Sequence, residues 1–172
     1  KSALSRTDIL GKYSKSEVLA HEYINSLALE LLDEELVENA KSMATVYTAI
    51  AAFENSVRRF VVKVLMENKG ENWWEEGVSE KIRKFAESRK KEEEKIRWHT
   101  RRGESMINYT EFGDLVSIMS QNIDLFEDYI ISIDWARQII QTIERSRNVI
   151  MHSGELGRKD IERIGTNIRD WI

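Results

Sequence analysis

Apolar residues recur along this chain mostly at intervals of three and four, the pattern of helices that each bury one face. From Ser16 the series runs Val18, Leu19, Tyr23, Leu27, Leu31 and Leu32, predicting a first helix behind a polar lead-in over residues 1–14. A longer helix is predicted over residues 42–68, with Val46, Ile50, Phe53, Val57, Val61 and Leu65 on one stripe. Asn68-Lys69-Gly70 supplies its stop, because glycine accepts the left-handed conformation at a helix C-terminus. A third helix is expected over residues 78–98; it is thinly apolar after Phe85, so its far end projects or covers another surface. Short helices follow over residues 111–120, with Asn108 or Thr110 as cap, and over 123–131. Asp134 is the expected N-cap of a helix that reaches His152 and stops at Ser153-Gly154. A last helix covers 159–171. No stretch alternates with period two for more than a few residues, so strands are not expected. The fold class is therefore all-α, a bundle of five or more helices. Residues 1–40 read as a lead-in, linker or accessory segment, and residues 41–172 as the main domain.

Composition narrows the functional classes. A chain of 172 residues suffices for one domain with a proper core and not for two. The absence of proline fits long uninterrupted helices. The absence of cysteine excludes disulfides, thiolate chemistry and cysteine-ligated zinc, and it suits a reducing, cytoplasmic setting. No apolar run approaches the ~18 residues that cross a bilayer, and no signal-peptide core opens the chain, so no membrane partner is expected. The chain begins on Lys1 rather than methionine, as a piece of a longer protein would.

A net charge of −4 argues at first against nucleic acid. The distribution changes that. Residues 81–102 hold ten Lys/Arg against four Glu, so a locally basic segment sits on an otherwise acidic body. Fields decay over roughly 10 Å in physiological salt, so such a segment can bind phosphate on its own. A solvated helix laced with Glu/Lys pairs accounts for the same run. Within it, Trp98, Arg101 and Arg102 combine an aromatic face with cations, the composition of a loop that stacks bases and grips RNA phosphates. A helix end with arginines reaching for solvent has that composition too.

The helix predicted over residues 134–152 carries the most suggestive chemistry. One stripe holds Ile131, Trp135, Ile139, Ile143 and Ile150; another holds Arg137, Gln141, Arg145, Asn148 and His152. Arg147 lies about 100° behind Asn148, close enough for its long side chain to reach the same opening. Arginine offers a permanently charged fork of donors for phosphoryl oxygens. Asparagine orients or donates, and histidine as a residue type can take and return a proton near neutral pH. Ordinary surface helices carry such stripes as well, and His152 could simply cap its own helix. Metal and nucleotide-cofactor chemistry find little support. The histidines are His21, His99 and His152, with no H-E-x-x-H spacing, and the glycines form no phosphate loop. No cofactor and no metal site are expected.

Arg147-Asn148-Val149-Ile150-Met151-His152 matches the R-x4-6-H signature of the HEPN superfamily, which this chain resembles over residues 42–172. The likeness extends to Phe53-Glu54-Asn55-Ser56-Val57-Arg58, to the stretch from Tyr109 through Leu115, and to Ile143-Glu144-Arg145-Ser146. It is similar to the branch that holds the helical domain of a yeast messenger-RNA surveillance endonuclease and its bacterial defence relatives. The resemblance implies a metal-independent endoribonuclease acting as a homodimer in defence or RNA surveillance. Arg147, Asn148 and His152 of two protomers would share one composite catalytic cleft. It implies that Glu54 and Arg58 face the signature helix and hold Arg147 or Arg145, with Glu144 and Arg145 as further supporting residues. A fused or associated regulatory domain fits the same picture. Toxin-type members carry a modifiable tyrosine two residues after the histidine; here that position is Gly154, which puts control of that kind in doubt. A non-catalytic helical module, dimerising through the same helix and binding RNA, a nucleotide or a protein, shares the fold and is the alternative.

Overall fold

A computed structural model of the protein describes residues 22–24 and 26–172. The expected lead-in and the helix start at Ser16 lie outside them. The chain divides into two compact units, residues 1–42 and 43–172. In the first, the helical period read through Leu31 and Leu32 ends early. Ala28 takes φ 50, and a 3-10 turn, Leu29–Leu31, follows.

Helix α1 spans Glu34–Lys69 and so begins well before the predicted residue 42. Asp33 caps it: its Oδ1 accepts the N–H groups of Glu35 at 3.0 Å and Leu36 at 3.3 Å. Glu34 and Glu35 then place negative charge where the first-turn N–H groups want it. Ile50, Phe53, Val57, Val61, Val64 and Leu65 are its buried stripe, as the spacing predicted. Gly70, at φ 63, ends it. A 3-10 turn, Gly70–Asn72, and the short helix α2, Trp73–Gly77, lead to α3, Glu80–Glu94. Trp73 and Trp74 meet edge to face at 5.6 Å and pack against the core.

The end of α3 differs from expectation. The helix stops at Glu94, short of residue 98, and Phe85 is half exposed while Ile82 and Ala86 are buried. A 3-10 turn, Met106–Tyr109, precedes α4, Phe112–Gln121. Its cap is neither Asn108 nor Thr110. Glu111 and Asp114 form a reciprocal capping box, and the Thr110 hydroxyl instead donates to the Ile107 carbonyl at 2.7 Å. Helix α5 is only Ile123–Phe126. Helix α6 spans Ile133–Met151, capped by Ser132, whose Oγ accepts the Trp135 N–H at 3.1 Å. Asp134, the expected cap, pairs with Arg137 at 2.8 Å. Ile131, one residue ahead of the true cap, is off the helical period and exposed. Helix α7 spans Arg158–Trp171.

Aromatic contacts join four helices of the larger unit. Phe53 of α1 meets Phe112 of α4 at 6.0 Å and Trp171 of α7 at 5.7 Å, both edge to face. Trp171 in turn stacks flat on Trp135 of α6 at 5.3 Å. Such pairs add about 0.5–1.5 kcal/mol each beyond the area they bury. They fix α6 against α1, and that seam carries the polar site.

Candidate active site

Glu54 follows the buried Phe53 on α1, which brings its carboxylate to the edge of the core facing α6. Two arginines share it. Arg58, one turn on, donates from Nη2 to Oε1 at 2.8 Å, and Arg147 of α6 donates from Nη1 to Oε2 at 3.0 Å. Side-chain exposures of 13 % for Glu54, 12 % for Arg58 and 28 % for Arg147 place this triad partly out of water, where charge-assisted bonds strengthen. Arg58 also donates from Nη1 to Asn55 Oδ1 at 3.0 Å. Two guanidinium groups on one carboxylate leave the cluster net positive. The Nε of each arginine is buried without a hydrogen-bond partner among the described residues, so neither fork is saturated. Sequence reasoning left open whether Arg147 or Arg145 meets Glu54; the structure gives Arg147.

This triad lines an open cleft of about 530 Å³, together with Tyr47, Arg102, Asn108, Thr110, Asn148 and Met151. Of the residues singled out from sequence, Glu54, Arg58, Arg102, Arg147 and Asn148 therefore converge on one cavity. Arg102 reaches it from the basic segment, anchored by its Nε and backbone N–H on the carboxylate of Glu93. The others lie elsewhere. Trp98 is 87 % exposed and meets the ring of His99, edge to face at 5.6 Å. Neither Trp98 nor Arg101 lines the cleft. Glu144 accepts the Gly113 N–H at 3.4 Å, which ties α6 to the start of α4 and leaves Arg147 untouched. Arg145 is exposed, without an ion pair among the described residues.

His152 terminates α6 one turn beyond Asn148. It is exposed and does not line the cleft. The helix closes around it in a Schellman motif: the Ser153 N–H bonds the Ile150 carbonyl at 3.0 Å, and the Gly154 N–H bonds the Val149 carbonyl at 2.8 Å. The left-handed residue is Ser153, at φ 60. Gly154 is required for a different reason. A Cβ there would sit 2.7 Å from Val149 Cγ1 and 2.9 Å from the Val149 carbonyl oxygen. A tyrosine at this position has no room without moving the helix end.

Tyr47, Asn108, Thr110 and Met151 were not foreseen as cleft residues. For Tyr47 a signal existed: Tyr47, Ala51, Glu54 and Arg58 fall at offsets of four, three and four along α1, a second stripe beside the apolar one. Asn108 comes from a 3-10 turn that no periodicity marks. The arrangement offers a guanidinium pair, an amide and a third arginine around one concave surface, a donor set suited to a phosphodiester. Among the described residues no group of three or more His, Asp or Glu side chains is placed to hold a metal ion. None of the described helices is long and apolar enough to cross a membrane.

The family model for Swt1-like HEPN domains matches residues 48–172, a span that includes Glu54, Arg58, Arg102, Asn108 and the whole signature helix. No curated protein and no solved structure gives a significant match. With nearly three quarters of its length matched by that one model, the chain belongs to the Swt1-like HEPN family of helical domains.

Proposed function

We propose that the protein is a metal-independent endoribonuclease whose catalytic site is completed by dimerisation. The observation that carries this reading is the grip of Glu54 on Arg147. It holds a guanidinium at an open polar cleft beside Asn148, where a phosphodiester finds preorganised donors. The family's namesake, a yeast messenger-RNA surveillance endonuclease, agrees with it, and a role in RNA surveillance or defence follows from the same relationship.

Among the described residues, the histidine next to a cleft residue in sequence is His152, after Met151 at the end of α6. Attack by a ribose 2′-hydroxyl needs both a base and an acid. A two-fold dimer supplies both from one sequence. His152 of one protomer takes the 2′-hydroxyl proton as O2′ bonds to phosphorus. His152 of a second copy gives a proton to the 5′-oxygen as the P–O5′ bond breaks. Both Arg147 side chains and Asn148 balance the charge on the phosphorane. The products carry a 2′,3′-cyclic phosphate and a 5′-hydroxyl.

The test is incubation of labelled single-stranded RNA with parent, Arg147→Ala and His152→Ala proteins in EDTA. Chelator-resistant cleavage that drops by about 10² to 10⁴ in His152→Ala supports general acid–base work. Parent-level cleavage in that variant refutes it. A second reading, an RNA-binding module without catalysis, is favoured by the position of His152 outside the cleft lining. Binding with no cleavage in the parent protein would select it.

A further inference from the structure

A second cavity, about 580 Å³, lies beside the first and shares Asn55, Arg58 and Asn108 with it. Those three side chains form a partition between two compartments. On the far side Arg59 and Lys63 of α1 stand exposed, while Val62, Met66 and Ile107 supply apolar surface. Met66 is 49 % exposed beside the buried Ile107, an apolar floor open to solvent. Glu67 is the one carboxylate in this lining, 3.9 Å from Lys63. Arg59 has no ion pair among the described residues, and the basic side chains here outnumber the acidic one three to one.

We infer that this compartment holds the nucleotide next to the scissile phosphate of a single-stranded RNA. The inference rests on the RNA substrate proposed above and adds the binding of the flanking residue. A base laid on Val62, Met66 and Ile107 leaves water for an apolar face, and Arg59 and Lys63 meet its phosphate. The amide of Asn108 stands where a base edge can be read, while that of Asn55 is held by the Ala51 carbonyl and by Arg58. Two compartments with a polar partition suit consecutive nucleotides joined by a phosphodiester that crosses the partition at Arg58. A paired helix keeps its bases stacked inside and cannot fill both compartments.

The experiment measures binding of a fluorescein-labelled single-stranded RNA of about ten nucleotides by anisotropy in EDTA, across a salt series, with cleavage of the same RNA followed alongside. The proteins are the parent, the Arg59→Ala/Lys63→Ala double variant and Met66→Gln, each checked for an unchanged thermal melt. Loss of both cations from that one phosphate should weaken binding by about tenfold at low salt and flatten the log K against log salt slope by about 0.7. Met66→Gln should weaken binding by about threefold with the slope unchanged, since an apolar contact releases no counterions. Double-variant binding within twofold of the parent overturns the inference, whether or not the parent cleaves. Loss of affinity in the double variant with no cleavage in the parent keeps the compartment and removes the nuclease. A duplex of the same sequence that binds as tightly as the single strand, and responds equally to Met66→Gln, overturns the single-strand assignment. A parent protein that binds no RNA overturns both readings.

Discussion

Replacing Glu54 by glutamine tests the organising contact of the site. The carboxylate accepts at 2.8 Å from Arg58 and at 3.0 Å from Arg147. A glutamine can offer its oxygen to one guanidinium only, and it turns an NH2 donor towards the other. Two part-buried arginines then face each other without the anion between them. Each charge-assisted bond contributes about 1.5–3 kcal/mol when shielded, and exposure of Arg147 brings its share towards the lower end. Glu54→Gln should therefore cost about 2–4 kcal/mol, lowering Tm by roughly 6–15 °C for a domain of this size. Arg147→Ala should cost less, about 1 kcal/mol, because Glu54 keeps Arg58. Thermal denaturation by circular dichroism measures both. In the cleavage assay both variants should fall by about 10² or more, one by losing the guanidinium and the other by misplacing it. RNA affinity of Glu54→Gln should hold or rise, since a negative charge leaves the cleft. If Glu54→Gln melted within 2 °C of the parent, or Arg147→Ala melted as low as Glu54→Gln, the shared-carboxylate account would be wrong.

The end of α6 and the aromatic seam give three further expectations. Gly154→Ala forces a Cβ against the Val149 carbonyl and should destabilise the fold by about 1–3 kcal/mol, read by urea denaturation; a neutral result would show that the turn relaxes freely. Ser153→Gly relieves a left-handed serine and should raise stability by about 0.5 kcal/mol after the larger entropy of an unfolded glycine is subtracted, so a fall in midpoint would contradict the φ of 60°. Trp171→Ala removes the stack on Trp135 and the edges on Phe53 and Phe60. It should cost about 3–5 kcal/mol, with near-ultraviolet dichroism reporting the loss of fixed aromatic packing.

The buried stripe of α1 and the extent of α6 were legible because amphipathic periods of three and four survive in their sequences. The start of α1 was not. Residues 34–42 hold just Leu36, Val37 and Ala40 as apolar positions, too few to set a period by themselves, and Asp33 with its acidic neighbours marked the cap. The end of α3 was hidden by its own composition: lysine, arginine and glutamate all favour helix, so the run 89–97 gives no local reason to stop at Glu94. Ser132 and Asp134 are both good caps; Ser132 takes the Trp135 N–H, and Asp134, inside the first turn, pairs locally with Arg137. For the site, the signature residues could be named from the motif. That Arg147 and not Arg145 meets Glu54 depends on the rotation of α6, set by Trp135 against Trp171. Asn108 and Thr110 enter the cleft from a turn whose shape comes from long-range contacts, such as Arg89 donating to the Tyr109 carbonyl at 2.9 Å.

The bond between Glu54 and Arg147 joins positions 93 residues apart, and its late partner gives the triad its surplus charge. In any partial product that stops before residue 147, Glu54 has only Arg58, and that pair is electrically balanced. The surplus cation arrives with α6, whose Trp135 stacks on Trp171 of α7. A copy that ends before α6 therefore lacks both Arg147 and the surplus charge of this triad, whatever phosphate contacts Arg59, Lys63 and Arg102 make.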